Sequence, residues 1–213
     1  MRISEIISPL FETPLPDDWD SLIFNQNVSF AQRVTYARER AQQVGVGSSR
    51  VVFEIPYQGR KTALKIAMNN KGKAQNEEES RLFEDWYLKS LDITIPMIDY
   101  DDKSSYPTWI HTEYATRISQ RQLEGFFDGV SMWDITTYLE GNRRGHSHVN
   151  VELPESIHEN EYFMALQNLV MNYDMPAGDL QRKANWGLYK GKPVIIDLGF
   201  TSNTEKLYTR QVR

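Results

Sequence analysis

No cysteine occurs among the 213 residues. Disulfides, thiolate zinc centres and a cysteine nucleophile are therefore excluded, and a reducing cytoplasm suits the chain. A basic excess is missing too: 24 Lys and Arg stand against 29 Asp and Glu, for a net charge of −5. Sequence-independent nucleic-acid binding draws on cations that displace phosphate counter-ions, so no nucleic-acid partner is expected. The Arg143-Arg144 pair is isolated. No apolar run approaches the roughly 20 residues of a membrane helix, and the N-terminus lacks a basic segment leading into an apolar core. We therefore expect no membrane partner and a cytoplasmic location. No internal repeat or low-complexity tract appears. What is present, 40% hydrophobic residues in a chain of this length, suffices for one compact domain or two small lobes sharing a cleft.

Residues 174–200 hold the densest set of candidate ligands. Asp179 is followed, after five residues, by Asn185-Trp186-Gly187, then by a turn at residues 190–193 and the run Val194-Ile195-Ile196, which ends at Asp197-Leu198-Gly199. A short β-branched run suits a buried strand and puts Asp197 where the backbone turns. Asp179, Asn185 and Asp197 then offer two oxygen ligands of the kind Mg²⁺ takes and one acceptor for a hydroxyl proton. A surface turn with scattered acids would carry the same residues.

Upstream, Gly45-Val46-Gly47-Ser48-Ser49-Arg50 precedes the apolar Val51-Val52-Phe53. Glycines suit a hairpin that needs positive φ and close backbone approach to an anion, and Ser48 and Ser49 add hydroxyls. An ordinary β-hairpin would read the same way. Past a turn at residues 57–60, the segment 61–66 alternates as a strand, with Ala63 and Lys65 on one face and Leu64 and Ile66 on the other. Residues 73–90 read as a helix with Leu82, Phe83 and Trp86 as its buried stripe. Stepping back three and four positions from Leu82 and Phe83 lands on Glu79; Glu78 is within reach, and Glu77 falls away. Glu79 is thus the candidate partner of Lys65, although an acidic run at a helix start also suits a solvated face beside the macrodipole.

The remaining segments read mainly as packing. Residues 1–43 contain Ile6, Ile7, Leu10 and Phe11, a turn-rich stretch, and a helix over 29–43 with Phe30, Ala31, Val34, Tyr36 and Ala37 on its apolar side. Strands are expected over 94–100 and 107–111, and a helix over 119–141 with Leu123, Phe126, Phe127, Trp133, Ile135, Tyr138 and Leu139 as core. A polar loop follows over 142–159, then an apolar helix over 161–173 with Phe163, Met164, Leu166, Leu169 and Val170. His146 and His148 lack a third ligand at useful spacing, so no metal is assigned to them.

Glycine hairpin, strand lysine, helix glutamate, Asp179 to Asn185 and strand-end Asp197-Leu198-Gly199 occur in an order that resembles the protein-kinase-like fold over residues 45–199. The resemblance implies an α+β, two-lobed protein-kinase-like fold with an antiparallel N-terminal sheet and a trimmed, mainly helical C-terminal lobe. Its divisions would be an extension over 1–43, an N-terminal lobe over 44–115 and a minimal C-terminal lobe over 116–213. Gln75-Asn76 and Asn185-Trp186-Gly187 also resemble small kinase-like proteins encoded by tailed bacteriophages. By this likeness the cofactors are ATP and Mg²⁺ and the activity is phosphotransfer to a protein hydroxyl. Gly45, Gly47, Ser48 and Ser49 would cover the nucleotide, Lys65 would hold its α- and β-phosphates, and Glu79 would orient Lys65. Glu113 and Ala115 would meet the adenine edge. Asn185 and Asp197 would hold Mg²⁺, and Asp179 would accept the hydroxyl proton.

The chain departs from that pattern at several points. Arg50 stands for the third glycine, Asp-Leu-Gly replaces Asp-Phe-Gly, and Ala177-Gly178 replaces His-Arg. Five residues rather than four separate Asp179 from Asn185, and residues 201–213 are too few for an activation segment and substrate-binding helices. Three alternatives therefore stay open: a pseudokinase that binds a partner protein without transfer, nucleotidyl transfer on the same scaffold, and an α+β protein unrelated to kinases.

Overall fold

The computed structural model describes residues 15–24, 27–102, 106–145, 151–173, 175–199, 201 and 204. Ile6, Ile7, Leu10, Phe11, His146 and His148 lie outside them.

A capping box at Ser29 starts helix α1 (Phe30–Arg40): its hydroxyl accepts from the Gln32 amide while the Gln32 side chain takes the Ser29 amide. The helix ends before residue 43, because Ala41 is extended and Gln42 already pairs with Glu54. Strands β1 (Gln42–Val46), β2 (Arg50–Tyr57) and β3 (Arg60–Ala67) follow as an antiparallel meander. Gln58 and Gly59, with φ of 48° and 74°, supply the left-handed turn that a two-residue hairpin demands. Alternation sorts the faces. Val51, Phe53 and Ile55 of β2 and Leu64 and Ile66 of β3 are buried against Val34 and Ala37 of α1, with Trp19 and Phe24 alongside. Arg50, Val52 and Lys65 belong to the opposite face.

Asn69 caps helix α2 (Asn70–Glu84), which covers that second face. The single helix expected over 73–90 is in fact two. Asp85 leaves helical geometry and caps α3 (Trp86–Ser90), accepting from the Tyr87 and Leu88 amides. The break puts residue 86 out of phase with Leu82 and Phe83, so Trp86 is 78% exposed and not part of the buried stripe. Strands β4 (Met97–Tyr100) and β5 (Trp109–Glu113) complete a five-stranded antiparallel sheet of order β1-β2-β3-β5-β4. Thr94, expected inside a strand, makes only an isolated bridge to Ile195.

After β6 (Thr116–Arg117), the helix expected over 119–141 also divides, into α4 (Gln120–Gly125) and α5 (Met132–Arg143). Asp128 and Gly129 take positive φ between them, and Ser131 caps the second helix through the Asp134 amide. Trp133 consequently faces out, at 57% exposure. A 3₁₀ turn, Glu155–Glu159, interrupts the expected loop and precedes α6 (Glu161–Asn172), which Asn160 caps. Phe163, Leu166, Leu169 and Val170 of α6 are fully buried, whereas Met164 is 43% exposed. Helix α7 (Ala177–Leu180) leads to β7 (Trp186–Tyr189) and β8 (Lys192–Ile195), which with β6 form a three-stranded antiparallel sheet. The architecture is α+β.

Two apolar clusters organise the chain. One joins residues 15–40 to the outer face of the large sheet. The other gathers Leu82, Phe83, Leu88, Ile93 and Ile95 with the later helices and with β7 and β8. The early helix packs on the sheet, and the end of α2 packs with the later helices. Among the described residues no helix is long and apolar enough to cross a membrane.

Candidate functional site

Lys65 lies in mid-sheet, opposite Val52 on one side and Ile110 on the other, and is only 5% exposed. Its Nζ donates to Glu79 Oε1 and, at 2.5 Å, to the carbonyl of Ile196. Glu79, on α2, is fully buried. Its second oxygen accepts from Arg50 Nη1 at 2.5 Å, while Arg50 Nη2 donates to Asp197 Oδ1. Arg50 Nη1 also reaches Asn76 Oδ1 at 3.3 Å. Two cations thus face two carboxylates, and the burial of Lys65, Arg50 and Glu79 is tolerable because each of these charges is paired.

Partial desolvation pushes the Asp197 carboxyl up, but Arg50 and then Lys65, with the Gly199 amide at 3.3 Å, outweigh it and hold the group below the usual carboxylate range. Burial likewise pulls Arg50 down; Asp197 and Glu79 overcome this and raise its guanidinium above its ordinary value. Both groups are charged at neutral pH. Gly199 permits the approach: a Cβ there would lie 2.9 Å from Gln75 Cβ and 3.0 Å from Arg50 Nη2. Only glycine lets this strand end press so closely on α2.

The Asp179 loop is pinned at several points. The Ala177 amide donates to Glu140 Oε2 at 3.0 Å, and Trp186 Nε1 donates to the Leu180 carbonyl at 2.7 Å. Asn185 Nδ2 donates to the Asp179 carbonyl at 2.8 Å, and the Asn185 carbonyl accepts from the Ile196 amide at 2.8 Å. Arg182 Nε stands 3.7 Å from Asp179 Oδ1. Hydrogen bonds therefore run from Asp179 through Asn185 and Ile196 to Lys65 and Glu79.

The Asp197 side chain is 44% exposed, and Asn185 spends its amide nitrogen on Asp179, which leaves Oδ1 as its acceptor. Among the described residues no group of three or more His, Cys, Asp or Glu could hold a metal. A cation at this place would lean on one carboxylate, one amide oxygen and the phosphates of a ligand, a set that Mg²⁺ accepts.

The glycine hairpin differs from expectation. Neither Gly45 nor Gly47 adopts positive φ; Gly45 lies in β1 beside a bulge, and the Gly47 amide donates to the Arg50 carbonyl at 2.8 Å. The hairpin closes on its own backbone without left-handed residues. Ser49 is buried and its hydroxyl donates to Gln75 Oε1 at 2.5 Å, so it ties the hairpin to α2. The Ser48 carbonyl accepts from Asn69 Nδ2 at 3.2 Å. Glu113 ends β5, where its carboxylate accepts from Arg60 at 2.9 and 3.2 Å and its amide donates to the Pro96 carbonyl. Ala115 lies between β5 and β6. An open groove of about 760 Å³ runs beside them, lined by residues including Arg60, Glu113, Tyr114, Tyr189 and Lys190, but by neither Lys65 nor Asp197.

Sequence alone marks Arg50 only as the replacement for a glycine. The signal that puts it on the Lys65 face is the alternation of Val51, Phe53 and Ile55 toward the opposite core. Nothing local marks Glu140, and Gln75 is marked only by the likeness of Gln75-Asn76, which says nothing of its bond to Ser49. No family model matches this chain, and no curated protein matches it either.

Proposed function

We propose that this chain is a small two-lobed, kinase-like phosphotransferase that takes ATP with Mg²⁺ and transfers the γ-phosphoryl group to a protein hydroxyl. The observation that carries the proposal is the buried Lys65–Glu79 pair beside the carbonyl that precedes Asp197. An amine from the early sheet and an acid from the late strand end meet at one place, as phosphoryl transfer requires.

Each residue has a definite task in this reading. Glu79 orients Lys65, whose amine binds the α- and β-phosphates. The segment from Glu113 to Ala115 meets the adenine edge, and the hairpin at Gly45 and Gly47 covers the nucleotide. Asp197 and Asn185 would hold Mg²⁺, which would supply positive charge to the phosphate oxygens. The acceptor oxygen bonds to the γ-phosphorus while the bond from phosphorus to the β,γ-bridging oxygen breaks. ADP leaves with that electron pair, and the hydroxyl proton passes to the Asp179 carboxylate. The work of the protein is positioning and charge stabilisation. A cytoplasmic setting and kinship with phage-encoded kinase-like proteins belong to the same proposal.

A second reading, a pseudokinase that binds a partner without transfer, draws on Arg50, whose guanidinium holds Asp197. Purified protein incubated with γ-labelled ATP and Mg²⁺, alone and with cell lysate, separates the two. Transfer by the wild type that is lost in Asp197→Ala, with circular dichroism unchanged, supports the phosphotransferase; ATP binding in a thermal-shift assay without transfer supports the pseudokinase. Incorporation from α-labelled ATP instead would identify nucleotidyl transfer.

A further inference from the structure

We infer that Arg50 is the chain's own occupant of the cation position on Asp197: a divalent cation binds there only when the guanidinium leaves, and the phosphates of the nucleotide receive it. The second half rests on the function proposed above; the first does not.

The geometry sets the two cations in competition. Arg50 Nη2 donates to Asp197 Oδ1, from a residue 147 positions away. A divalent ion coordinated by the same carboxylate would meet the like charge of the guanidinium at close range. Exchange is nonetheless balanced. When Arg50 departs, Glu79 keeps Lys65 on its other oxygen, and Asp197 takes the incoming ion. No carboxylate is left buried and unpaired, which is the condition that makes breaking an internal ion pair costly. The guanidinium also has a destination. Arg50 opens β2 directly after Gly47, Ser48 and Ser49, the hairpin that covers the phosphates in the proposed reading, and its planar fork suits phosphate oxygens.

Mn²⁺ binding to the full chain, followed by the electron paramagnetic resonance of the free ion without nucleotide, tests this directly. Arg50→Gln is expected to bind Mn²⁺ at least tenfold tighter than the wild type, and the gain should vanish in Arg50→Gln combined with Asp197→Asn. Arg50→Met gives the same comparison if the glutamine variant does not fold. ADP should then raise the Mn²⁺ affinity of the wild type more than that of the variant, narrowing the gap. Equal Mn²⁺ affinities, or a gain that survives Asp197→Asn, overturn the assignment. A wild type that binds no ADP refutes the nucleotide reading and the destination of the guanidinium, while the nucleotide-free comparison still decides whether Arg50 occupies the cation position.

Discussion

Lys65 Nζ and the carbonyl oxygen of Ile196 meet at 2.5 Å although they stand 131 positions apart in the chain. That bond sets Asp197 beside the face of the large sheet that α2 covers. It also makes the ionic cluster part of the packing between early and late segments, so substitutions in it should register in stability as well as in ligand binding.

Glu79 accepts from both Lys65 and Arg50. Glu79→Gln leaves two buried cations short of a counter-charge and should destabilise by about 3–5 kcal/mol. Lys65→Met leaves Glu79 with Arg50 and should lose roughly 1–3 kcal/mol. Urea unfolding of the two variants checks the order; equal losses would mean that Glu79 does not organise the cluster.

Gly72 lies in α2, where alanine normally adds up to about 1 kcal/mol. Here a Cβ would come 2.2 Å from the Ser49 carbonyl oxygen and 3.1 Å from Ala67 Cα. Gly72→Ala should therefore lower stability by about 2–3 kcal/mol as helix and hairpin are forced apart. Gly125→Ala, whose Cβ meets nothing within 4 Å, should be neutral or stabilising. Thermal unfolding of this pair would contradict the packing described if Gly72→Ala raised Tm.

Glu140 holds the start of the Asp179 loop through the Ala177 amide and is itself gripped by Arg143 and Arg144, each at 2.6 Å. Burial raises its carboxyl, but the Arg143 hydrogen bond, the Ala177 amide and Arg144 outweigh it and bring the pKa from 4.5 to about 2. A depressed acid stabilises the fold above its ordinary pKa, and that contribution disappears as pH falls from 4.5 through about 2. Glu140→Gln should cost about 1 kcal/mol at pH 7, after discounting for solvent screening, and should flatten the acid limb of the stability curve in that window. An acid limb identical to the wild type's would rule the contribution out.

Asn185→Asp keeps an oxygen ligand but removes the donor to the Asp179 carbonyl and turns an anion toward it. The expected loss is about 1–2 kcal/mol, with divalent-cation binding retained. Chemical denaturation and Mn²⁺ titration of one preparation read both; unchanged stability would show that the amide does not hold the loop.

Much of the local order is legible in the residues. Period-two alternation puts Lys65 opposite Leu64 and Ile66, and the 3.6-residue period brings Glu79 to the inner side of its helix, where the ion pair forms. Both rules concern a chain and its nearest neighbours. The breaks at Asp85 and at residues 126–131 escape such rules, because a cap that accepts two amides competes with continuing the helix, and the surroundings choose between them. Trp86, Trp133 and Met164 show the same limit: an apolar residue is core only when another element arrives to cover it.

By itself the sequence determined which residues could be ionic, which faces of strands and helices were apolar, and the order in which candidate ligands appear, since these depend on side-chain chemistry and backbone period alone. Only the tertiary structure decided that Arg50 bridges Glu79 and Asp197, that Ser49 binds Gln75 rather than standing free, and that Gly199 lies against α2. Those contacts join segments far apart in the chain, and their energy exists only once burial removes water and forces each charge to find a partner.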